Sequence, residues 1–355
     1  MGAIAFAQPG GGPPQPLVPS MLTRMGPGKV RLSDVAAVAG VSLSTASKAL
    51  NGSTRISGAT RERVREAALR LDFRPDALAQ SFASGRSRTV GVLTHRALST
   101  FAQPVLIGAV LLLGERDQAT LVYDGDVGVS RRLGHSVREL QARRIDGLLV
   151  IGDGHERVTA SLTHHFGVPV SYAFTASDDP DDVVFLPDNE LVGRMAAEHL
   201  VERGRRRIAH LTGPGTSIAV RLRESGFREV LAGAGLEPVG PVLRSGWGRD
   251  WGTQAMDRLL DSGTRVDAVF CGNDHIALGA LEACTRRGVA VPDDIALIGV
   301  DNWEGVVVDQ NTRQITTLDL QLEELGRRAA ASLVDERPEP GQHRLAPTLV
   351  VGPST

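Results

Sequence analysis

A small all-α unit followed by an α/β body of two lobes, with parallel sheets flanked by helices, is the fold class that the sequence predicts. Two observations carry the prediction. Between Ser33 and Leu71 three short segments place small and apolar residues at helical spacing. From Thr89 onward, strand-like apolar runs alternate with stretches of helical length, the pattern of parallel sheets built from βαβ units. Charge separates the same two parts: Lys29 to Arg88 holds eleven Lys/Arg against five Asp/Glu, whereas Thr89 to Thr355 holds 27 against 36. A length of 355 residues exceeds what one ordinary domain needs, and 42% hydrophobic with 23% charged residues lies in the folded regime.

Residues 1–28 are crowded with Gly and Pro and carry one charge, Arg24, so they read as a disordered tail in which Met21 or Met25 could be the translation start. This opening lacks a basic n-region, and no run in the chain approaches the roughly 18 apolar residues of a membrane span. The only cysteines, Cys271 and Cys284, supply neither a disulfide framework nor a four-ligand zinc site. A cytoplasmic protein without membrane, metal or cofactor is therefore expected. The all-α unit covers 29–74. Its helices are SDVAAVAG, SLSTASKALN and TRERVREAALRL, with Ser33, Ser42 and Thr60 as predicted N-caps and with Val64, Ala68 and Leu71 on one face of the third.

The stretch Asp34 to Asn51 carries a geometry of its own. Small Ala36 and Ala39 allow two helices to approach, Gly40 permits a sharp turn between them, and Val41 can fill the corner beneath. Ser42 then caps a second helix that presents Leu43, Ser44 and Thr45 in its first turn and Lys48 one turn later. In a helix-turn-helix the N-terminal residues of the second helix meet base edges in the major groove. Leu43 suits a thymine methyl, Ser44 a base edge, and Lys48 guanine or phosphate, while Thr45 and Ser47 suit phosphate or the partner helix. Spacing alone also fits a helical hairpin that only packs; the local basic charge favours nucleic acid.

After a short run at 75–88, the strand-like segments are TVGVL, ATLVY, DGLLVI, VPVSY, RIAHL, DAVFC and IALIG. Open sheets of this kind bind ligands at the carboxyl ends of their strands, where loops of two lobes meet. Gly272, Asn273 and Asp274 follow one such strand, and Val300, Asp301 and Asn302 follow another. Asn273 or Asp301 could instead simply cap a turn. Catalytic signatures are missing: there is no HExxH, GxSxG or P-loop, and Gly213-Pro214-Gly215 fails as a dinucleotide fingerprint because Ile218 stands where the third glycine belongs. His164-His165 read as a surface loop.

The motif D-V-A-x-x-A-G-V-S-x-x-T-x-S-x-x-L-N from Asp34 to Asn51, followed by TRERV, FRPDALAQS and TVGVL, resembles the lactose/galactose-repressor (LacI/GalR) family of bacterial regulators from Val30 onward. The resemblance implies a transcription regulator, commonly a repressor relieved by ligand, that binds a pseudo-palindromic operator as a homodimer. It implies a hinge helix within 75–88 that enters the minor groove, placing Phe82 at the position of an intercalating leucine, with Ala79 and Gln80 on the same helix. It also implies a periplasmic-binding-protein-like sensor over 89–355, with lobe 1 at about 89–187 and 319–345 and lobe 2 at about 188–318 and 346–355. Effector contacts carried over are Arg223, Trp251, Asn273 and Asp301, a set suited to a sugar or sugar derivative. The first lobe departs from the family: Ser99-Thr100-Phe101-Ala102 replaces Asn-Pro-Phe-Phe, leaving Phe101 as its candidate contact, and Phe174 stands where relatives place a carboxylate. Leu106 to Glu115 could form a dimer face or simply be core. No C-terminal heptad zipper is present.

Overall fold

The computed structural model describes residues 30–50, 53–74, 85–94, 99, 101–124, 130–154, 158–303, 313–335 and 337–355. The chain divides into two compact units, Met1–Ala83 and Ser84–Thr355.

The first unit holds α1 (Leu32–Ala39), α2 (Leu43–Leu50) and α3 (Gly58–Arg70). Val35, Ala36, Ala39, Ala46, Ala49, Val64, Ala67 and Ala68 form its core, with Val41 and Leu71 packed at the edge. Six of these eight core residues are alanine, so the helices approach closely with little side chain between them. Gly40 closes α1 in the left-handed conformation, φ 65°, which glycine adopts without a Cβ penalty. The Ser42 Oγ accepts from the Thr45 backbone N–H at 3.1 Å and caps α2. Two predicted caps are corrected. Helix α1 opens two residues earlier than Ser33 implies, at Arg31, whose backbone N–H donates to the Asp34 carboxylate at 2.8 Å. Helix α3 opens at Ser57, whose Oγ accepts from the Thr60 N–H, so Thr60 is already helical. The Arg61 guanidinium fastens the preceding loop by donating to the carbonyls of Ser53 (3.0 Å) and Ile56 (3.2 Å), which fixes where α3 can begin.

The second unit is built from two six-stranded sheets. The first contains β1 (Thr89–Thr94), β2 (Ala119–Asp124), β3 (Gly147–Ile151), β5 (Val170–Ala173), β7 (Val183–Pro187) and β13 (Gly341–Leu345), in the order β13-β7-β5-β3-β1-β2, all parallel. Helices α4 (Ala102–Glu115), α5 (Ser130–Ala142) and α10 (Leu322–Val334) belong to this lobe, as does a short ladder of β4 (Val158–Thr159) with β6 (Ala176–Ser177). The second sheet contains β8 (Ile208–Thr212), β9 (Leu243–Arg244), β10 (Ala268–Cys271), β11 (Ala296–Val300), β12 (Thr316–Asp319) and β14 (Thr348–Val350), in the order β14-β12-β11-β10-β8-β9. Only the β12–β14 pair is antiparallel. Its helices are α6 (Asn189–Glu202), α7 (Ile218–Gly233), α8 (Arg249–Asp261) and α9 (Asp274–Arg287). The chain passes between lobes three times, after β7, after β12 and between β13 and β14. Strands β1, β3, β5, β8, β10 and β11 are almost wholly buried, which is why they read as unbroken apolar runs.

Three helix pairs in this unit cross backbone to backbone at reciprocal glycines. A Cβ on Gly108 of α4 would lie 1.9 Å from the Glu323 carbonyl oxygen, and one on Gly326 of α10 would lie 2.0 Å from that of Val105. Gly193 and Gly226 stand in the same relation across α6 and α7, as do Gly252 and Gly279 across α8 and α9. The neighbour at each site is main chain and cannot swing aside. Gly226→Ala and Gly326→Ala are therefore expected to lower stability by about 1–3 kcal/mol through overpacking. Gly114→Ala, whose Cβ would meet nothing within 4 Å, is expected to gain up to about 1 kcal/mol from helix propensity. Urea midpoints of the three variants check the opposite signs.

Candidate DNA interface and effector site

On α2 the inward face is Ala46 and Ala49, which leaves Leu43, Ser44 and Lys48 exposed on the other side. Leu43 is 55% exposed, an apolar side chain presented to water at the start of a short helix. The Ser42 hydroxyl lies 3.0 Å from the Ser44 hydroxyl and 2.9 Å from that of Thr45, so three hydroxyls are linked at the helix N-terminus. Thr45 and Ser47 are half-buried against the rest of the unit. Asn51, Ala79, Gln80 and Phe82 lie outside the described residues.

In the second unit Arg223 projects from α7 and is fully enclosed, 2% exposed. Its Nε donates to Asn189 Oδ1 at 2.8 Å and its Nη1 to the Gly272 carbonyl at 2.6 Å, while Nη2 stands 3.9 Å from Asp301 Oδ1. Burial lowers the guanidinium pKa, and the charges of Asp301 and Asp274 oppose that shift. The Asp301 side chain is 7% exposed, and its buried Oδ1 accepts no hydrogen bond. Burial raises this carboxyl to about 7; Arg223 pulls it back and Asp319 pushes it further up.

Asp301 and Asn302 both have positive φ, 100° and 53°, a conformation that must be held by its surroundings. Asp274 supplies most of the restraint. Its Oδ2 accepts from the Trp303 N–H at 2.7 Å and its Oδ1 from the Thr317 hydroxyl at 2.7 Å, and the Asn302 N–H reaches that same Thr317 oxygen. The Asn302 side chain is clamped as well, donating to Asp319 and accepting from Arg313.

Asn273 caps α9: its Oδ1 accepts from the Ile276 N–H at 2.8 Å, and its Nδ2 donates to the Trp247 carbonyl at 3.1 Å. The Trp251 indole N–H donates to the Thr212 carbonyl at 3.0 Å, and its ring packs on the second-lobe core with Arg258 over it. Phe101 sits at the start of α4 with its ring centroid 6.2 Å from that of Phe174, which is buried against Gly154. A cavity of about 750 Å³ is lined by Phe101, Pro104 and Ile107 of the first lobe, by Asp301, Asn302 and Trp303 of the second, and by Asp319 and Gln321. Of the five residues singled out in the sequence for effector contact, Phe101 and Asp301 line this cavity and Arg223 backs Asp301. Asn273 and Trp251 direct their polar atoms into the scaffold. Asn302, named in the sequence beside Asp301, also lines the cavity. Asn189, Trp303 and Asp319 escaped the sequence reading; for Trp303 the signal was its place two residues after Asp301, while Asn189 and Asp319 join the site only through the fold.

A helical reader unit and a two-lobed α/β unit with a cavity at its strand ends define a class of protein in which DNA contact and ligand binding share one chain. Comparison with known proteins narrows the class. Residues 31–76 match the family described as "Bacterial regulatory proteins, lacI family", and 197–355 match the "Periplasmic binding protein-like domain". The HTH-type transcriptional regulator CelR of Thermobifida fusca is 34% identical over 86% of this chain and 91% of its own. Among solved structures, a lac repressor dimer bound to operator and the anti-inducer ONPF aligns with a TM-score of 0.70 at 26% identity, over 92% of this chain and 99% of that one. A CelR–cellobiose complex aligns at 0.61 and 30% identity, over 92% and 100%. The chain belongs to the LacI family of bacterial regulatory proteins, DNA-binding transcriptional regulators that carry no enzymatic activity. Among the described residues no helix is long and apolar enough to cross a membrane, and no cluster of His, Cys, Asp and Glu could hold a metal.

Proposed function

We propose that this regulator is a repressor that binds a pseudo-palindromic operator as a homodimer and is controlled by a sugar or sugar derivative. The observation that carries the reading is the division of α2, with Leu43, Ser44 and Lys48 displayed on a basic unit. The second unit adds a cavity between lobes with both an aromatic wall and a buried carboxylate, the pairing that sugar rings and hydroxyls require. Solved relatives held by operator and by cellobiose point the same way.

Dimerisation follows from economy, since one reader meets only a half-site. The neighbouring Val110 and Leu111 on α4, 40% and 49% exposed, are the surface offered for it. Ligand that binds the two lobe arrangements unequally would shift operator affinity by the usual allosteric coupling of about 1–3 kcal/mol.

Anisotropy titrations against DNA selected from a random library test the reader. Leu43→Ala is expected to cost about 1–3 kcal/mol and to relax preference at one base position. Lys48→Ala, if it meets phosphate, is expected to weaken all sequences alike and reduce the salt slope by about one. Undiminished binding in both variants would remove α2 as the reading helix.

A further inference from the structure

We propose that the cavity between Phe101 and Trp303 takes a ring ligand that presents hydrogen-bond donors and carries no anionic group, with Trp303 as the stacking platform that sets its specificity. The proposal rests on the sensor reading above and names the ligand class of that sensor.

Trp303 is built to be a platform. Its backbone N–H is held by Asp274, and its ring leans on the His275 ring with centroids 4.9 Å apart at 50°, so it is supported from the scaffold side while lining the cavity. Trp251, by contrast, spends its indole N–H on the Thr212 carbonyl and carries Arg258 over its ring. Phe101, Pro104 and Ile107, from the first lobe, add apolar lining to the same cavity. A volume of about 750 Å³ is within the range of small-molecule sites.

The charge of the lining selects against anions. Among the described lining residues Asp301, Asp319, Glu323 and Glu324 stand with one cation, Arg327, and both terminal nitrogens of Arg327 are engaged by Glu115 at 3.1 and 2.8 Å. Arg223 lies behind Asp301, enclosed and already bonded to Asn189 and Gly272. A phosphate or carboxylate entering here would face carboxylates without a free guanidinium among the described lining residues. Asp301 points to the complementary chemistry, because its side chain is more than nine-tenths buried and its Oδ1 accepts no hydrogen bond among the described residues. A hydroxyl, amine or ring N–H from a ligand would satisfy it. Its pKa near 7 fits a carboxylate that lacks donors.

Thermal shifts of the full chain with matched pairs test the class: glucose and glucose 6-phosphate, glucosamine and glucosamine 6-phosphate, adenosine and AMP. A shift is expected from the unphosphorylated member of at least one pair and from none of the phosphates; Trp303→Ala should abolish it and Trp303→Phe should keep at least half. A larger shift from a phosphate, or an unaltered shift in Trp303→Ala, would overturn the proposal and leave the sensor reading intact. Silence from every pair, with a cooperative melt, would remove the sugar-sensing reading together with the proposal. Fluorescence quenching supplies an effector-free readout: the emission lost between wild type and Trp303→Phe should be quenched more by caesium than by iodide. The reverse order would overturn the charge selection alone.

Discussion

Replacing Arg223 by alanine is expected to destabilise the second unit by about 3–5 kcal/mol and to abolish the response to effector. The side chain has no exposed surface to lose; it joins α7 to Asn189 at the start of α6, to the Gly272 carbonyl at the end of β10, and to Asp301 after β11. Truncation leaves a void, frees the Asn189 and Gly272 oxygens of their donor, and strands a buried carboxylate without its countercharge. Loss of one partner of a buried pair is the costly direction, since the desolvation of the other remains. Urea denaturation of the full chain measures the stability, and thermal shift with effector measures the response. Arg223→Lys should recover only part of the stability, because a single ammonium cannot span three acceptors set around a planar fork. Operator binding, measured where the variant is still folded, should persist, since Leu43 and Lys48 belong to the other unit. A variant that melts like wild type yet ignores effector would make Arg223 a ligand contact and nothing more.

The same residue shows how much of this molecule can be read from its sequence. The reader is legible because its packing is encoded in the identities of small residues: Ala36, Ala39 and Ala46 permit the approach, and Gly40 alone suits φ 65°. Its cap positions were less legible, since Ser57 rather than Thr60 opens α3 for reasons that lie in a loop fastened by Arg61. In the body, strands buried on both faces announce themselves as apolar runs. The half-exposed edge strand at Gly341–Leu345 and the Thr-rich Thr316–Asp319 do not, although the second of these leads one of the crossings between lobes. The place of Asp301 follows from the rule that ligands meet strand carboxyl ends. That of Trp303 does not, because two successive non-glycine residues with positive φ turn the chain there, and that turn depends on Asp274 and Thr317 from elsewhere in the fold.

Two buried groups with opposed pKa shifts should oppose each other in the protein's stability profile between about pH 5 and 6.5, and removing either should tilt it. Asp301 is held up to about 7, first by burial, with Arg223 lowering it and Asp319 raising it. Its ordinary value is about 3.9. The folded state therefore keeps a proton that the unfolded chain releases, so the contribution of Asp301 is complete below about pH 4 and is lost as pH rises to about 7. His210 runs the other way. Burial pushes its imidazole down to about 4; the Phe270 carbonyl and Glu224 raise it, while Arg244 and Arg223 lower it. The ring stacks on Phe270 at 4.5 Å and 8°, and its Nδ1–H donates to the Phe270 carbonyl at 2.9 Å, leaving Nε2 buried without a partner, as suits the neutral form. Between pH 6.5 and 4 the unfolded chain takes up a proton that folded His210 refuses, so this contribution is lost as pH falls. His199 and His275, also lowered chiefly by burial, add to the His210 side. Over the shared window each slope approaches about 1.4 kcal/mol per pH unit, or about 2 kcal/mol from pH 5 to 6.5. Relative to wild type, Asp301→Asn should make stability rise more steeply with pH, and His210→Phe should turn the slope toward falling. Urea denaturation at half-unit pH steps reads both slopes. If the two variants run parallel to wild type, neither group titrates within the fold as its burial requires. If the slopes appear and effector then flattens the Asp301-dependent one, protons leave that carboxyl on binding, and the ligand's donors have reached it.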